Sequence, residues 1–132
     1  MIFDTNIFLN HSFNYSEQIE RLIADNQIYA PSFLRLEVVN ILRKHHFFND
    51  VSLEIINFYE EQIFSLITAF VPDAELFNTA KELSFLINHP IYDCLFLALA
   101  LETSDTFATY DQKLAAKAAS LKISTIDLNA LE

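Results

Sequence analysis

Thr106-Phe107-Ala108-Thr109-Tyr110-Asp111-Gln112 reads as a short β-prone run that ends on an acid and passes into a helix. Thr106–Thr109 has strand composition, Gln112–Ser120 is a short helix, and Ile123–Ile126 is strand-like again. The chain opens the same way: Ile2–Asp4 in Met1-Ile2-Phe3-Asp4-Thr5-Asn6 is a strand closing on an acid. In an open parallel α/β sheet such strand ends converge on one crevice.

The segments between keep the alternation. Ser16–Asp25 is an amphipathic helix with apolar Ile19, Leu22 and Ile23, and Gln27–Ala30 is a strand closed by Pro31. Ser32 is the expected N-cap of a helix running to about His46. Asp50–Ser65 carries apolar residues at helical spacing, and Leu66–Val71 is a strand stopped by Pro72. Asp73 is read as the cap of the next helix, and Pro90 as the start of another that ends near Thr103. Strands alternating with helices predict a single domain over residues 1–132, with a parallel sheet covered on both faces.

Bulk composition narrows the functional classes. With 132 residues, 52% of them apolar and 13 of them Phe, the chain can bury a substantial core. Glycine is absent, which excludes a glycine-rich phosphate loop and with it the usual nucleotide-cofactor motifs. The longest apolar run, Cys94–Leu101, is far short of the ~20 residues that cross a bilayer. No basic segment precedes an apolar one at the N-terminus, and the single cysteine, Cys94, fits a buried thiol in a reducing compartment. A cytosolic protein without a membrane role is expected. The formal charge of −10 opposes nucleic-acid binding unless bound cations reverse the local field. The local basic cluster Arg43-Lys44-His45-His46 reads as a helix C-terminus or as a phosphate contact.

Four acids stand in unusual settings. Asp4 and Asp111 close strands, where an N-cap or Asx-turn is the ordinary role. Glu37 lies in Phe33-Leu34-Arg35-Leu36-Glu37-Val38-Val39-Asn40-Ile41-Leu42, with Phe33, Leu34 and Ile41 as its helical neighbours. Such a glutamate is costly to leave unpaired, so a salt bridge is its ordinary explanation. Asp93 heads the helix whose remainder is the apolar run Cys94–Leu101, where the helix dipole alone favours an acid. Taken jointly, the four lie near one edge of the sheet. Carboxylates gathered there need a counter-charge, and a hard divalent cation such as Mg²⁺ or Mn²⁺ supplies it. The histidines show no His-x-x-x-His spacing, and there is no Gly-x-Ser-x-Gly elbow.

With these pieces in view, the sequence resembles PIN-domain ribonucleases, and among them the VapC-like toxins of bacterial toxin–antitoxin pairs. The resemblance rests on Asp4-Thr5-Asn6, on Ser32-Phe33-Leu34-Arg35-Leu36-Glu37, on Tyr92-Asp93-Cys94-Leu95-Phe96-Leu97-Ala98-Leu99-Ala100, and on Phe107-Ala108-Thr109-Tyr110-Asp111-Gln112-Lys113-Leu114. It implies a five-stranded sheet of order 3-2-1-4-5 and Mg²⁺- or Mn²⁺-dependent endonucleolytic hydrolysis of RNA. Asp4, Glu37, Asp93 and Asp111 take the place of the family's catalytic acids. Asp4, Asp93 and Asp111 are the implied metal ligands, and Glu37 holds a second ion or orients the attacking water. Thr5 or Asn6 would support a coordinated water or a phosphate oxygen. Cys94 departs from the alanine often found at its position. The resemblance also implies a cognate antitoxin and a toxin homodimer. Phe47, Phe48, Phe58, Tyr59, Phe64 and Phe70 offer aromatic surface for such partners, or serve simply as core.

Two readings from other classes remain. One is a catalytically inactive PIN-like protein or RNA-binding module that keeps its acids for stability or for gripping a basic partner. The other is a phosphotransfer domain, which leaves Glu37 without a role.

Overall fold

In the computed structural model, which describes residues 1–131, the first strand in sequence is the central strand of the sheet. This strand, β1 (Ile2–Phe3), pairs in parallel with β2 (Tyr29–Pro31) on one side and β4 (Phe107–Thr109) on the other. The strands β3 (Ala69–Val71) and β5 (Thr125–Asp127) form the edges, also parallel, giving the order β3-β2-β1-β4-β5. Successive strand residues face opposite sides of a sheet. Ile2, Phe3, Phe107 and Ala108 are all 0% exposed, so both faces of the central strands are covered.

Among the described residues seven helices flank the sheet: α1 (Thr5–Phe13), α2 (Glu17–Asp25), α3 (Phe33–Asn49), α4 (Leu53–Ser65), α5 (Asp73–Ile87), α6 (Ile91–Thr103) and α7 (Gln112–Ser120). A short 3-10 turn, Leu128–Leu131, follows β5. Residues Cys94 to Ala100 of α6 are buried on every side, because the helix packs on β1, β2 and β4 and against α5. That explains why its sequence carries no polar stripe. Among the described residues no single helix is long and apolar enough to cross a membrane.

The structure corrects several sequence expectations. The stretch after Asp4, left without an element by periodicity, is the helix α1. Its apolar residues Ile7, Phe8 and Leu9 are consecutive and all buried, so no helical alternation shows in the sequence. Strand β2 runs through Pro31, which pairs with Val71. The ladder to β3 uses the Ser32 N–H to the Val71 carbonyl (2.9 Å), so no donor is missed on that side. Strand β3 is shorter than Leu66–Val71 because the N–H groups of Leu66 and Ile67 still bond back into α4. Similarly, the Ile123 N–H closes α7 onto the Ala118 carbonyl, which delays β5 to Thr125.

The caps of α3 and α5 also differ from expectation. Ser32 precedes α3, but its hydroxyl makes no cap and donates instead to the Val71 carbonyl (3.3 Å). The Asp73 carboxylate, expected to cap α5, lies within that helix's first turn after Pro72 and accepts the Phe33 N–H of α3 at 2.9 Å. One carboxylate thus stands at two positive helix ends, which favours its charge. Asp73→Ala is expected to lower unfolding free energy in urea by about 1 kcal/mol, and Ser32→Ala by clearly less. Equal effects would contradict this assignment of the cap.

Candidate active site

Successive strands are added on one side of β1 as far as β3 and on the other side from β4 onward, and at such a switch point the loops leaving β1 and β4 part to open a crevice. Asp4 follows β1 directly, and its N–H donates to the Ala108 carbonyl (3.0 Å), so the ladder with β4 holds its backbone. Asp4 occupies the N-cap position of α1, yet its side chain makes no cap bond. The carboxylate instead accepts from the buried Thr109 hydroxyl across the crevice, Oγ1 to Oδ2 at 2.9 Å. Glu37 reaches the same edge from α3 and forms no salt bridge among the described residues. Its Oε1 accepts from the hydroxyl of Thr5, itself only 2% exposed, at 2.8 Å. Each of these two acids is therefore held by a buried threonine rather than by a cation.

The electrostatic consequence is large. Burial pushes the Asp4 carboxyl up to about 6, against the lowering effect of the Thr109 and Thr5 hydrogen bonds, and the charges of Asp93 and Asp111 push it further. Burial pushes Glu37 up to about 7, opposed by the Thr5 hydrogen bond and reinforced by Asp4 and Asp93. Asp4 thus feels the charges of Asp93 and Asp111, and Glu37 those of Asp4 and Asp93.

They do not all point at one spot. Asp93 begins α6 and turns Oδ2 onto His89 Nε2, 2.6 Å away. Asp111 is exposed, and its Oδ1 caps α7 by accepting the Leu114 N–H at 3.0 Å, the ordinary role its position allowed. Among the described residues no three His, Cys, Asp or Glu side chains are grouped so as to hold a metal ion. Asn6, the alternative to Thr5, is exposed. Cys94 is fully buried, and burial, with Asp93 beside it, pushes its thiol up to about 11, so it is no nucleophile.

Three participants escaped the sequence reading. Thr109 stood in a quoted motif, and its place at the end of a strand beside Asp111 was the available signal. His89 lies four residues before Asp93, a His-x-x-x-Asp spacing that is its signal in the sequence. Lys117, whose Nζ is 3.0 Å from His89 Nδ1, gave no local signal.

The comparisons with known proteins agree with this architecture. The sequence matches the PIN domain family over residues 1–120, and the chain belongs to that family. PIN domains are generally nucleases, a class of hydrolases acting on nucleic acids, and typically use divalent metals. The fold is similar to the crystal structure of PAE2754 from Pyrobaculum aerophilum, with a TM-score of 0.73 and 16% identity over 98% of this chain and 85% of that one. No curated protein matches the sequence.

The raised Asp4 and Glu37 carboxyls set a pH dependence in metal-free buffer. Each binds its proton more tightly folded than unfolded, so their contribution to stability is full below the unfolded values of 3.8 and 4.5. It is lost as pH rises through about 6 and about 7 respectively. In EDTA, Glu37→Gln is expected to match the wild type near pH 4.5. Above pH 7 it should be more stable by about 1–2 kcal/mol, allowing for solvent screening. Thermal melts across this range check the sign, and an unchanged or lower melting temperature at pH 8 would refute it.

Proposed function

We propose that the protein is a Mg²⁺- or Mn²⁺-dependent endoribonuclease, the toxin of a toxin–antitoxin pair. The observation that carries this reading is the pair of carboxyls Asp4 and Glu37 at the switch-point crevice of a PIN domain, both raised by burial and by the charge of Asp93, with Asp111 also acting on Asp4. The donor set is all carboxylate, which suits a hard cation in chemistry, although two of its members also serve other partners. In this reading Asp4, Asp93 and Asp111 would hold the ion, which would supply an activated water and offset charge on the phosphodiester.

Glu37 orients the attacking water and accepts its proton, for which a carboxyl near 7 is well matched at neutral pH. Thr5 keeps Oε1 of that carboxyl in place, and Thr109 does the same for Asp4. Attack by water forms no covalent enzyme adduct, the buried Cys94 with its raised thiol takes no part, and the leaving oxygen of the cleaved strand departs with a proton from solvent.

One observation favours a second reading, the inactive binding module: the engagement of Asp93 by His89 and of Asp111 by its own helix. Cleavage of a panel of structured RNAs in Mg²⁺, in Mn²⁺ and in EDTA separates the two. Cutting that needs metal and drops at least about a hundredfold in Asp93→Asn supports the nuclease. Absence of cutting together with no metal-induced rise in melting temperature supports the binding module.

The partner reading draws on exposed apolar surface. Phe47, Phe48 and Phe58 are exposed, beside a groove of about 220 Å³ between α3 and α4, whereas Tyr59, Phe64 and Phe70 pack against the core. A second apolar area, where α3, α5 and α6 meet, holds exposed Phe77 and a cavity of about 500 Å³ lined by the stacked rings of Phe33 and Tyr92. Two separate areas of this kind suit two protein partners, an antitoxin and a second copy. Sedimentation equilibrium is expected to give about twice the 15.2 kDa chain mass, and a monomer at micromolar concentration would remove the homodimer from the reading.

A further inference from the structure

Asp93 is joined to a chain of polar groups that the reading above leaves without a task. His89 Nε2 lies 2.6 Å from Asp93 Oδ2, and His89 Nδ1 lies 3.0 Å from Lys117 Nζ, which also approaches the Asn88 carbonyl at 3.5 Å. An ammonium group has donors only, so Nδ1 of His89 accepts and Nε2 carries the proton. The imidazole therefore donates to Asp93, and the direction of both bonds is set from the lysine end.

The histidine is firmly seated. Its ring is 13% exposed, its N–H donates to the Ser84 carbonyl (3.1 Å), and its own carbonyl accepts from the Ser84 hydroxyl (2.5 Å). Asn88 before it, in the left-handed region (φ 49°), and Pro90 after it fix the turn from α5 into α6. Lys117 arrives from α7, the helix capped by Asp111. The chain thus ties the helix capped by Asp111 to the turn that leads into α6, and through it to Oδ2 of Asp93 in the first turn of that helix.

We propose that His89 and Lys117 are positioning residues of the acidic site: Lys117 holds His89 as the Nε2–H tautomer, and His89 holds Asp93 in the orientation that binds a divalent cation. This rests on the metal-dependent reading of the site. Carboxylates that ligate a metal are commonly oriented by outer hydrogen bonds, whose loss weakens binding about 10–100-fold.

The test uses the full chain and Mn²⁺ alone, with free Mn²⁺ followed by electron paramagnetic resonance and melting temperature in EDTA as the control for folding. His89→Ala is expected to weaken Mn²⁺ binding by about 10–100-fold, while His89→Gln, which can still donate to Asp93, retains most of it. Lys117→Met should weaken binding in the same direction and keeps the test open if His89→Ala fails to fold. Long-range ¹H–¹⁵N spectra of the ring are expected to show the Nε2–H tautomer in the wild type and a mixture in Lys117→Met. A wild type that binds Mn²⁺ while His89→Ala binds it equally well overturns the positioning role alone. Tighter binding by His89→Ala also overturns it, by making His89 a competitor of the ion. A wild type that binds no Mn²⁺ overturns this proposal together with the metal-dependent reading.

Discussion

The Asp4 carboxylate sits where β1 meets β4, in a place that disfavours its charge and holds it with a threonine instead of a cation. Its backbone is fixed by the β4 ladder, so it cannot withdraw to solvent without breaking the centre of the sheet. The neighbouring arrangement responds to that constraint. Glu37 takes up a similar protected position on Thr5, and Asp93 finds its partner in His89. Asp111 remains at the rim with the N-terminus of α7 as its partner. Four acids coexist in a chain of net charge −10 because each has its own hydrogen-bond donor, with Thr5 serving Asp4 through its backbone and Glu37 through its hydroxyl.

Much of the fold was legible because parallel α/β order writes itself in alternating short segments. Thr106–Thr109, Gln112–Ser120 and the apolar run of α6 each carry a local signal of length or composition that tertiary packing then reinforces. What failed was set by contacts across the chain. Helix α1 buries three consecutive apolar residues, so its periodicity is erased by packing on more than one side. The start of β3 and of β5 depends on where the preceding helix stops bonding, which residue types do not announce. Asp73 shows the same limit: it has the composition of a local cap, but the helix it caps begins forty positions earlier.

The acids of the site were legible for a different reason. A carboxylate in an apolar setting is conspicuous, and Glu37 and Asp93 both stand in such settings. The groups that support them are ordinary in sequence. Thr109 is one hydroxyl among many until the strand order puts it against Asp4, and Lys117 is an unremarkable residue of a short helix until α7 docks beside the α5–α6 turn. Charge stands out in one dimension, whereas the hydrogen bonds that manage charge exist only in three.

The place of β1 at the centre of the sheet has a consequence for how the molecule comes into being. The strand made first must wait for β4, because the Asp4 N–H and the Asp4 carboxylate both find their partners on a strand 105 residues further along. Loop closure over so long a span comes late in folding. A nascent chain on the ribosome therefore carries Asp4 and Glu37 without a formed crevice until β4 has emerged. The crevice between β1 and β4 is thus among the last features of the molecule to be completed.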